Sequence, residues 1–270
     1  MRPFLKWAGG KYGIRQHILA NLPKGKRLVE PFAGAGSIFL NSHYSQYLLA
    51  EKNRDLVDLF QFIQQEGESF IQDACSYFQP ENNTVEKYIF YRERFNNLLH
   101  QTEQKRERTL LFLYLNKHSY NGLCRYNSRG HYNVPFGKNI SLKCPTKRML
   151  MFHQKSRETH TIFEHADFRE TMQKARKGDV IYCDPPYVPL TSSFSYVPGE
   201  FGTQEQKDLA ELAEKLSKKN IPVIVSNHDT PETREYYKNA KIIELSVSRS
   251  ISCQSNNRKK AQELIAVFGF

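Results

Sequence analysis

The sequence predicts an α/β protein in which a helical insertion interrupts an open, mostly parallel sheet. Short apolar runs that read as buried strands recur at 28–30, 47–50, 180–183 and 221–225. Helical periodicity without a strand signal fills 55–107. Two further apolar runs, 241–247 and 263–268, are typical of an antiparallel hairpin. A chain of 270 residues can bury a sizeable core, and we expect one large domain with an insertion.

The charge balance favours a polyanionic partner. The chain has 39 Lys and Arg against 28 Asp and Glu, which gives a formal net charge of +11. Nucleic acid is the first candidate for such a partner, and a solvated basic surface is the alternative. No run approaches the roughly 20 apolar residues of a membrane span. We therefore expect a soluble protein that is not exported.

The cysteines predict neither a disulfide framework nor a structural zinc site. Their number is odd, and they show no C-x-x-C or His-rich spacing. The five are Cys75, Cys124, Cys144, Cys183 and Cys253. This pattern predicts reduced thiols in a cytosolic protein that needs no metal.

The tetrapeptide Asp184-Pro185-Pro186-Tyr187 follows the apolar run 180–183, and its two prolines end the predicted strand. Ligands bind at the carboxyl ends of strands in open α/β sheets. The Asp184 carboxylate and the Pro185 carbonyl can accept both hydrogens of an exocyclic amine, while Tyr187 can stack on the attached ring. The alternative is a proline turn with a helix-capping aspartate.

A glycine turn and an acidic residue together suggest a nucleoside site. The strand at 28–30 leads into Gly34-Ala35-Gly36 and a predicted helix through 38–40. The turn lacks the third glycine of a dinucleotide fingerprint, so a smaller nucleoside fits better. Glu51 ends the next strand 17 residues after Gly34, close to the offset of about 20 at which an acid binds ribose hydroxyls. An ordinary strand-end acid is the alternative.

Two further segments carry weaker signals. Residues 4–11 combine an apolar anchor with two lysines and a Gly-Gly pair, but they lack the spacing of a P-loop. The acid and aromatic pair Asp167-Phe168 follows a short predicted strand at 161–163 and is of the type that contacts an adenine ring. Either segment alone would indicate little.

Residues 116–138 interleave Asn, Arg, Lys and Tyr around an Arg-Gly turn, which predicts an exposed hairpin. These residue types can read base edges, because Arg pairs with guanine, Asn with adenine, and apolar groups with the thymine methyl. A polar connecting loop is the alternative. Between the last two predicted strands, Arg249, Arg258 and Lys259 are predicted to contact phosphates.

In this order the chain contains FLKWAGGK, FAGAGS, YNGLCRYNSRGHYNVPFG, DPPY, SNHDT and RSIS. Over nearly its whole length it resembles the DNA adenine methylase family, adenine-specific DNA methyltransferases that use S-adenosylmethionine. The resemblance implies a Rossmann-like methyltransferase fold, with a mostly parallel twisted sheet and a C-terminal antiparallel hairpin. It also implies a catalytic, donor-binding domain at 1–55 and 145–270 and a target-recognition domain at 56–144, helical and carrying a β-hairpin.

The resemblance assigns roles to individual residues. The methyl donor would be surrounded by Trp7, Ala8, Gly9, Lys11, Phe32, Gly34, Gly36, Glu51, Asp167 and Phe168. The flipped adenine would be held by the catalytic residues Asp184, Pro185 and Tyr187. DNA would be bound by Lys6, Tyr120, Asn121, Leu123, Arg125, Asn127 and Pro135 together with the phosphate contacts Arg249, Arg258 and Lys259. Two positions depart from the family, since Glu51 replaces a more common Asp and 253–257 replaces a glycine-richer turn.

The implied reaction is methyl transfer from S-adenosylmethionine to the N6 amine of an adenine flipped out of duplex DNA, within GATC. We expect a monomer in the bacterial cytosol or nucleoid. The sequence leaves open whether it serves replication-linked repair and gene regulation or protects DNA beside a nuclease. Three alternatives stay open: the methylase of a restriction-modification system with another short site, an RNA or protein-glutamine methyltransferase, and a DNA-binding protein without activity. The second class more often has Asn where this chain has Asp184.

Overall fold

The computed structural model describes residues 1–138, 142–187, 201–247 and 261–269. The chain forms two compact units. The first consists of Met1–Tyr12, Gly34–Asn41 and Asn53–His165. The second consists of Gly13–Ala33, Ser42–Lys52 and Ala166–Phe270. The predicted phosphate contacts at 249, 258 and 259 lie outside the described residues.

The strands of the described chain are β1 Arg27–Glu30, β2 Gln46–Glu51, β3 Thr161–His165, β4 Asp179–Cys183, β5 Val223–His228, β6 Lys241–Val247 and β7 Ala261–Phe268. Its α-helices are α1 Arg15–Ala20, α2 Arg54–Glu66, α3 Glu68–Ser76, α4 Val85–Asn97, α5 Lys105–His118, α6 Thr146–Glu158, α7 Phe168–Gln173, α8 Thr203–Ser217 and α9 Pro231–Tyr236. No helix of the described residues is long and apolar enough to cross a membrane.

The sheet of the second unit runs in the order β2-β1-β4-β5-β7-β6. Strands β2, β1, β4 and β5 are parallel, and in this register Val29 of β1 lies between Leu48 and Ile181. Strand β7 is antiparallel to both β5 and β6. The α/β, Rossmann-like fold with a mostly parallel sheet and a C-terminal antiparallel hairpin is therefore confirmed.

The core of the second unit explains why its central strands read as continuous apolar runs. All residues of β1, β4 and β5 are buried, as expected for parallel strands covered on both faces. Helix α8 packs Leu209, Ala213 and Leu216 into the same apolar cluster as Val223 of β5. The carboxyl ends of these strands are thereby fixed to a rigid layer.

The first unit is mainly helical, as the helical periodicity at 55–107 predicts. Its α5 is buried from Arg108 to His118, so the apolar run at 109–115 is part of a helix. Phe4 packs edge-on against Phe60 and Phe152, with ring centroids 6.1 and 5.3 Å apart. The N-terminal segment is thus anchored in the aromatic core of this unit.

The prediction that the cysteines are reduced thiols is wrong for one pair. Cys75 and Cys144 form a disulfide, with Cα atoms 5.3 Å apart. Cys75 lies near the end of α3 and Cys144 lies two residues before α6, and these helices pack together. Because 69 residues separate the two cysteines in sequence, cysteine spacing could not reveal this proximity. Cys124 and Cys183 form no disulfide within the described residues.

The predicted helix through 38–40 is also wrong. The chain forms only a three-residue 3₁₀ turn, Phe39–Asn41. The Asn41 side chain donates to the Ser37 carbonyl at 2.8 Å, and β2 begins at Gln46. Little chain therefore remains in which an α-helix could form.

Candidate active site and nucleic-acid interface

The carboxyl end of β4 is the strongest candidate for an active site in the second unit. Strand β4 pairs with β1 on one side and with β5 on the other, while β1 also pairs with β2. The chain therefore leaves β1 and β4 toward opposite edges of the sheet. Such a topological switch point opens a crevice at the carboxyl ends of the two strands. Asp184 follows β4 directly at this point.

A buried hydroxyl holds the Asp184 carboxylate. Ser226 of β5, which is fully buried, donates from Oγ to Asp184 Oδ1 at 3.0 Å. The Tyr182 hydroxyl lies 3.0 Å from the same Ser226 Oγ. Burial, together with the nearby Asp184 charge, raises the pKa of Tyr182 well above its ordinary value, so Tyr182 stays a neutral phenol. A chain of hydrogen bonds from Tyr182 through Ser226 to Asp184 satisfies all three groups.

The two proline carbonyls differ in their partners. The Pro186 carbonyl accepts a hydrogen bond of 2.8 Å from Nε2 of Gln206. Within the described chain, no backbone or side-chain group donates to the Pro185 carbonyl. A carbonyl without a protein donor, next to a fixed carboxylate, can accept a hydrogen bond from a ligand amine.

The Tyr187 side chain is fixed at both its ring and its hydroxyl. Its hydroxyl donates to Oε2 of Glu263 on β7 at 3.2 Å. The ring meets His228 edge-on, with centroids 4.7 Å apart. Burial raises the pKa of Tyr187 well above its ordinary value, and the Asp184 charge adds to this. The ring is therefore held as a rigid apolar surface next to the strand end.

An aromatic cluster lies close to the loop that follows β1. Phe32 stacks on Phe168 with centroids 5.4 Å apart, and Phe201 lies 5.4 Å from both rings. The Arg169 guanidinium lies over the Phe168 ring at 4.5 Å and pairs with Asp208 at 2.6 Å. Two predicted donor-site residues, Phe32 and Phe168, are thus in direct contact.

The predicted acids Asp167 and Glu51 both make local hydrogen bonds. Asp167 caps α7 by accepting from the Arg169 backbone amide at 2.9 Å. Glu51, at the carboxyl end of β2, accepts from the Lys52 backbone amide at 3.0 Å. Glu51 is partly exposed, so its carboxylate can still contact a ligand.

In the first unit, Trp7 packs on the glycine turn. Gly34 has φ +48° and Gly36 has φ +71°, a left-handed conformation that favours glycine. A Cβ at Gly34 would lie only 3.2 Å from the Trp7 indole. Lys11 is buried and donates from Nζ to the Gly9 carbonyl at 2.6 Å. Ala8 and Gly9 are exposed.

Lys6 is held against the turn Tyr120–Gly122 by a residue that the sequence did not single out. Asn116 donates from Nδ2 to the Lys6 carbonyl at 2.8 Å and accepts from the Lys6 amide at 3.3 Å. Gly122 has φ +67°, and a Cβ there would meet the Lys6 side chain at 2.3 Å. The first unit thus brings together Lys6 and the predicted hairpin.

The predicted hairpin exposes large apolar groups. Tyr120 and Leu123 are 52% and 41% exposed. Antiparallel bridges join Ser119 to Phe136 and Tyr126 to Tyr132, so the segment folds back on itself as predicted. An exposed ring beside an exposed leucine is suited to contact with bases.

The remaining predicted base-reading residues also have roles within the hairpin. The exposed Arg125 donates from Nε to Asn133 Oδ1 at 2.8 Å. Asn127 Oδ1 accepts from the Arg129 and His131 amides at 2.9 and 3.0 Å and so stabilises the tip. The Pro135 carbonyl accepts from the Tyr120 amide at 2.9 Å. Asn121 is exposed with φ +53°, in the left-handed region.

A buried lysine lies near the end of α5. Lys117 donates from Nζ to the Phe4 carbonyl at 3.1 Å. Burial and, to a smaller extent, the positive charges of Lys6, Arg148 and Arg2 together lower the pKa of Lys117 to about 8. These basic groups make part of the first unit electropositive, which favours phosphate.

No group of three or more His, Cys, Asp or Glu side chains that could hold a metal ion occurs among residues 1–138, 142–187, 201–247 and 261–269.

Comparisons with known proteins find similar sequences over nearly the whole chain. The family model of D12 class N6 adenine-specific DNA methyltransferases matches residues 7–251. The DNA adenine methylase of Escherichia coli (strain K12) is 44% identical over 270 residues, covering 99% of this chain and 95% of that protein. The DNA adenine methylase of Serratia marcescens is 45% identical over 271 residues, covering 99% and 98%. That of Vibrio cholerae serotype O1 (strain ATCC 39541) is 42% identical, covering 99% and 96%.

Proposed function

The chain belongs to the family of D12 class N6 adenine-specific DNA methyltransferases, and on that premise we propose that it methylates adenine within GATC, with S-adenosylmethionine as the donor. The observation that supports the catalytic assignment is the pair of acceptors at the end of β4. These are the Asp184 carboxylate, held by Ser226, and the Pro185 carbonyl, to which no described group donates. They match the two hydrogens of one exocyclic amine.

The proposed mechanism starts from the weak nucleophilicity of the adenine amine, whose lone pair is delocalised into the ring. Asp184 and Pro185 accept one hydrogen bond each from the amine, which makes the nitrogen more tetrahedral and restores its lone pair. When bound, S-adenosylmethionine would supply an electrophilic methyl group to this lone pair, and the amine would release one of its hydrogens as a proton to solvent. Asp184 stabilises the positive charge that develops on the nitrogen.

The target base has to leave the duplex, because its amine is not accessible inside the base stack. Flipping costs a few kcal/mol. We propose that Tyr187 offsets part of this cost by stacking on the flipped adenine. The exposed Tyr120 ring fills the gap that the base leaves in the DNA.

We propose that S-adenosylmethionine is bound by Trp7, Ala8, Gly9, Lys11, Phe32, Gly34, Gly36, Glu51, Asp167 and Phe168. The stacked pair Phe32 and Phe168 offers apolar faces to a base, and Glu51 offers a carboxylate to ribose hydroxyls. The residues present therefore fit a nucleoside donor. The donor supplies an activated methyl group, and the role of the chain is to orient it.

Titration calorimetry with S-adenosylhomocysteine tests the donor site. Glu51→Ala should weaken binding by about 1 to 3 kcal/mol, the scale for a lost charged hydrogen-bond partner. Lys52→Ala, at the exposed neighbouring position, serves as the matched control. Unchanged affinity in Glu51→Ala would remove this residue from the donor site.

For sequence recognition we propose separate roles along the N-terminal segment and the hairpin. Lys6 holds the first guanine, and Arg125 pairs with the guanine-containing final base pair. Leu123 and Pro135 meet thymine methyl groups, while Asn121 and Asn127 bind DNA polar groups. The proposed target-recognition domain is 56–144, and the catalytic domain is 1–55 with 145–270.

We propose that the enzyme acts as a monomer on duplex DNA in the bacterial cytosol. A methyl-transfer assay with labelled donor and duplexes that contain one GATC site tests the function. Only the duplex with GATC should be labelled, and its digestion by a methylation-sensitive nuclease should be blocked. Labelling of a duplex with another short site instead would contradict the proposed specificity and favour a restriction-modification methylase.

A further inference from the structure

A buried glutamine on α8 connects the segment Asp184–Tyr187 to the end of β5. Gln206 is 1% exposed, although most residues in the surrounding core are apolar. Its Nε2 donates to the Pro186 carbonyl at 2.8 Å. Its Oε1 accepts from Nδ2 of Asn227 at 3.1 Å. Burying an amide is costly unless its hydrogen bonds are made, and here both ends of the amide have partners.

The same network extends to Tyr237, which follows α9, and to Asn227, the residue next to Ser226. The Tyr237 hydroxyl accepts from Asn227 Nδ2 at 3.1 Å and lies 3.3 Å from Gln206 Oε1. Asn227 Oδ1 accepts from the His228 amide at 2.9 Å. All three side chains, Gln206, Asn227 and Tyr237, are buried. A closed network of neutral groups in a buried site has one preferred geometry.

Resting on the proposed function, we propose that Gln206 is a positioning residue that sets the direction of the Pro185 carbonyl toward the target amine. Proline fixes φ at both Pro185 and Pro186, which leaves few backbone rotations between Asp184 and Tyr187. Anchoring the Pro186 carbonyl through Gln206 removes much of the remaining freedom. Ser226 fixes the carboxylate of Asp184, and Gln206 fixes the backbone that carries the second acceptor.

The functional consequence follows from the geometry that amine activation needs. Two acceptors activate the nitrogen only if both point at its hydrogens. A displacement of about 1 Å at a reacting group can lower a rate about 10²-fold. Loss of Gln206 therefore lowers the rate of methyl transfer and leaves the binding of donor and DNA largely unchanged, because Gln206 is buried and its side chain is bonded to other residues of the protein.

The test uses two substitutions of similar size. Gln206→Met removes all hydrogen bonds of the amide, and Gln206→Glu keeps acceptor oxygens for Asn227 and Tyr237 but loses the donor to Pro186. Gln204→Met is the matched control, because Gln204 is an exposed glutamine two residues earlier on the same helix. The rate of methyl transfer in a single turnover on a GATC duplex is measured with saturating donor. The affinities for S-adenosylhomocysteine and for DNA are measured separately.

Both Gln206 variants should transfer methyl groups about 10- to 100-fold more slowly than the wild type, with both affinities within about twofold. Gln204→Met should match the wild type. A wild-type rate in Gln206→Met would overturn the proposal. A parallel loss of rate, both affinities and melting temperature would also overturn it, since that result describes a purely structural residue. If Gln206→Glu keeps the wild-type rate, the donor to Pro186 is not needed and the proposal fails.

A second variant covers the case in which Gln206→Met does not fold. Tyr237→Phe removes one hydroxyl from the network and keeps the ring that packs near Phe268. It should slow methyl transfer by about 2- to 10-fold at unchanged donor affinity. An unchanged rate would overturn the proposal. Asp184→Ala distinguishes failure of the proposed catalytic site from failure of the role of Gln206. If Asp184→Ala stays active, the proposed catalytic site is wrong. If Asp184→Ala is inactive while Gln206→Met is fully active, only the role of Gln206 is rejected.

Discussion

The end of β4 and the hairpin at 119–136 are built in opposite ways. At the strand end, the functional groups are held by side chains that are buried, namely Ser226 at 0% and Gln206 at 1% exposure. In the hairpin, the functional candidates themselves are exposed, with Tyr120 at 52%. The backbone of the hairpin is stabilised by a buried group: the hydroxyl of the buried Tyr132 donates to the Leu123 carbonyl at 2.7 Å.

The difference reflects what each region has to do. Activating an amine needs acceptors in fixed positions, and buried hydrogen bonds hold such acceptors rigidly in place. Contact with bases needs side chains that reach beyond the protein surface, so only their backbone can be fixed. We therefore expect substitutions at the strand end to change rate, and substitutions in the hairpin to change preference among DNA sequences.

The largest effect is expected for Asp184→Ala. Methyl transfer should fall by at least about 10²- to 10³-fold, the scale for removing one group that stabilises charge in the transition state. The affinity for S-adenosylhomocysteine should change little. Rate measurements in a single turnover check this, with Asp229→Ala as the control at another strand end. Turnover at the wild-type rate by folded Asp184→Ala would refute the proposed acceptor pair.

Arg125→Ala tests the hairpin side of the comparison. It should relax choice at the final base pair by about 1 to 3 kcal/mol, so that sites such as GATT compete with GATC. Arg129→Ala, at the exposed tip of the same hairpin, is the control and should leave preference unchanged. Kinetics on oligonucleotides with single substitutions check this. If Arg125→Ala slows all substrates by one common factor, Arg125 contacts phosphate only.

Lys259→Ala complements this test from the segment that the structure does not describe. It should weaken binding to all DNA sequences alike and lower the salt dependence of the affinity by about one charge. Affinity measured at several salt concentrations checks this. A change in sequence preference would instead assign Lys259 to base contact.

Ser226→Ala removes the hydrogen bond that orients the Asp184 carboxylate and keeps the carboxylate itself. Loss of one hydrogen bond to Asp184 should cost about 0.5 to 1.5 kcal/mol, or about a 2- to 10-fold lower rate. Ser217→Ala on α8 is the matched control. An unchanged rate in Ser226→Ala would show that Asp184 is oriented without this hydroxyl.

The smallest effect on activity is expected for Lys117→Met, which acts on stability. Because burial and nearby positive charges lower the pKa of Lys117 from 10.5 to about 8, the unfolded chain binds more protons than the folded chain between these values. The contribution of Lys117 to the wild-type free energy of unfolding should therefore increase as the pH rises from about 8 to 10. In Lys117→Met this increase should disappear. Urea unfolding at several pH values checks it, with the exposed Lys87→Met as control, and identical pH profiles would contradict the assignment.

Much of the fold was predictable because the relevant signals are local. Apolar runs predicted β1, β2, β4 and β5, and the two prolines predicted where β4 ends. The two glycines also predicted a turn, and Gly34 and Gly36 do adopt left-handed φ values. The helix predicted after that turn was wrong, since the early start of β2 at Gln46 overrides the local periodicity.

The supports of the candidate site could not be predicted in this way. Although Ser226 begins the segment SNHDT, that segment did not indicate a contact with Asp184, and Gln206 is an ordinary polar residue in the sequence. Their partners are 42 and 20 residues away, at Asp184 and Pro186. The same holds for Asn116, which contacts Lys6 across 110 residues.

By itself, the sequence determined the alternation of strands and helices, the acid at a strand end, the glycine turns and the polar, aromatic hairpin. These features depend on periodicity, proline, glycine and residue type, all of which act over a few neighbouring positions. Only the tertiary structure decided which side chains hold Asp184 and Lys6, and that Cys75 meets Cys144. Such contacts join distant parts of the chain, so they arise from the packing of whole elements and leave no local pattern to read.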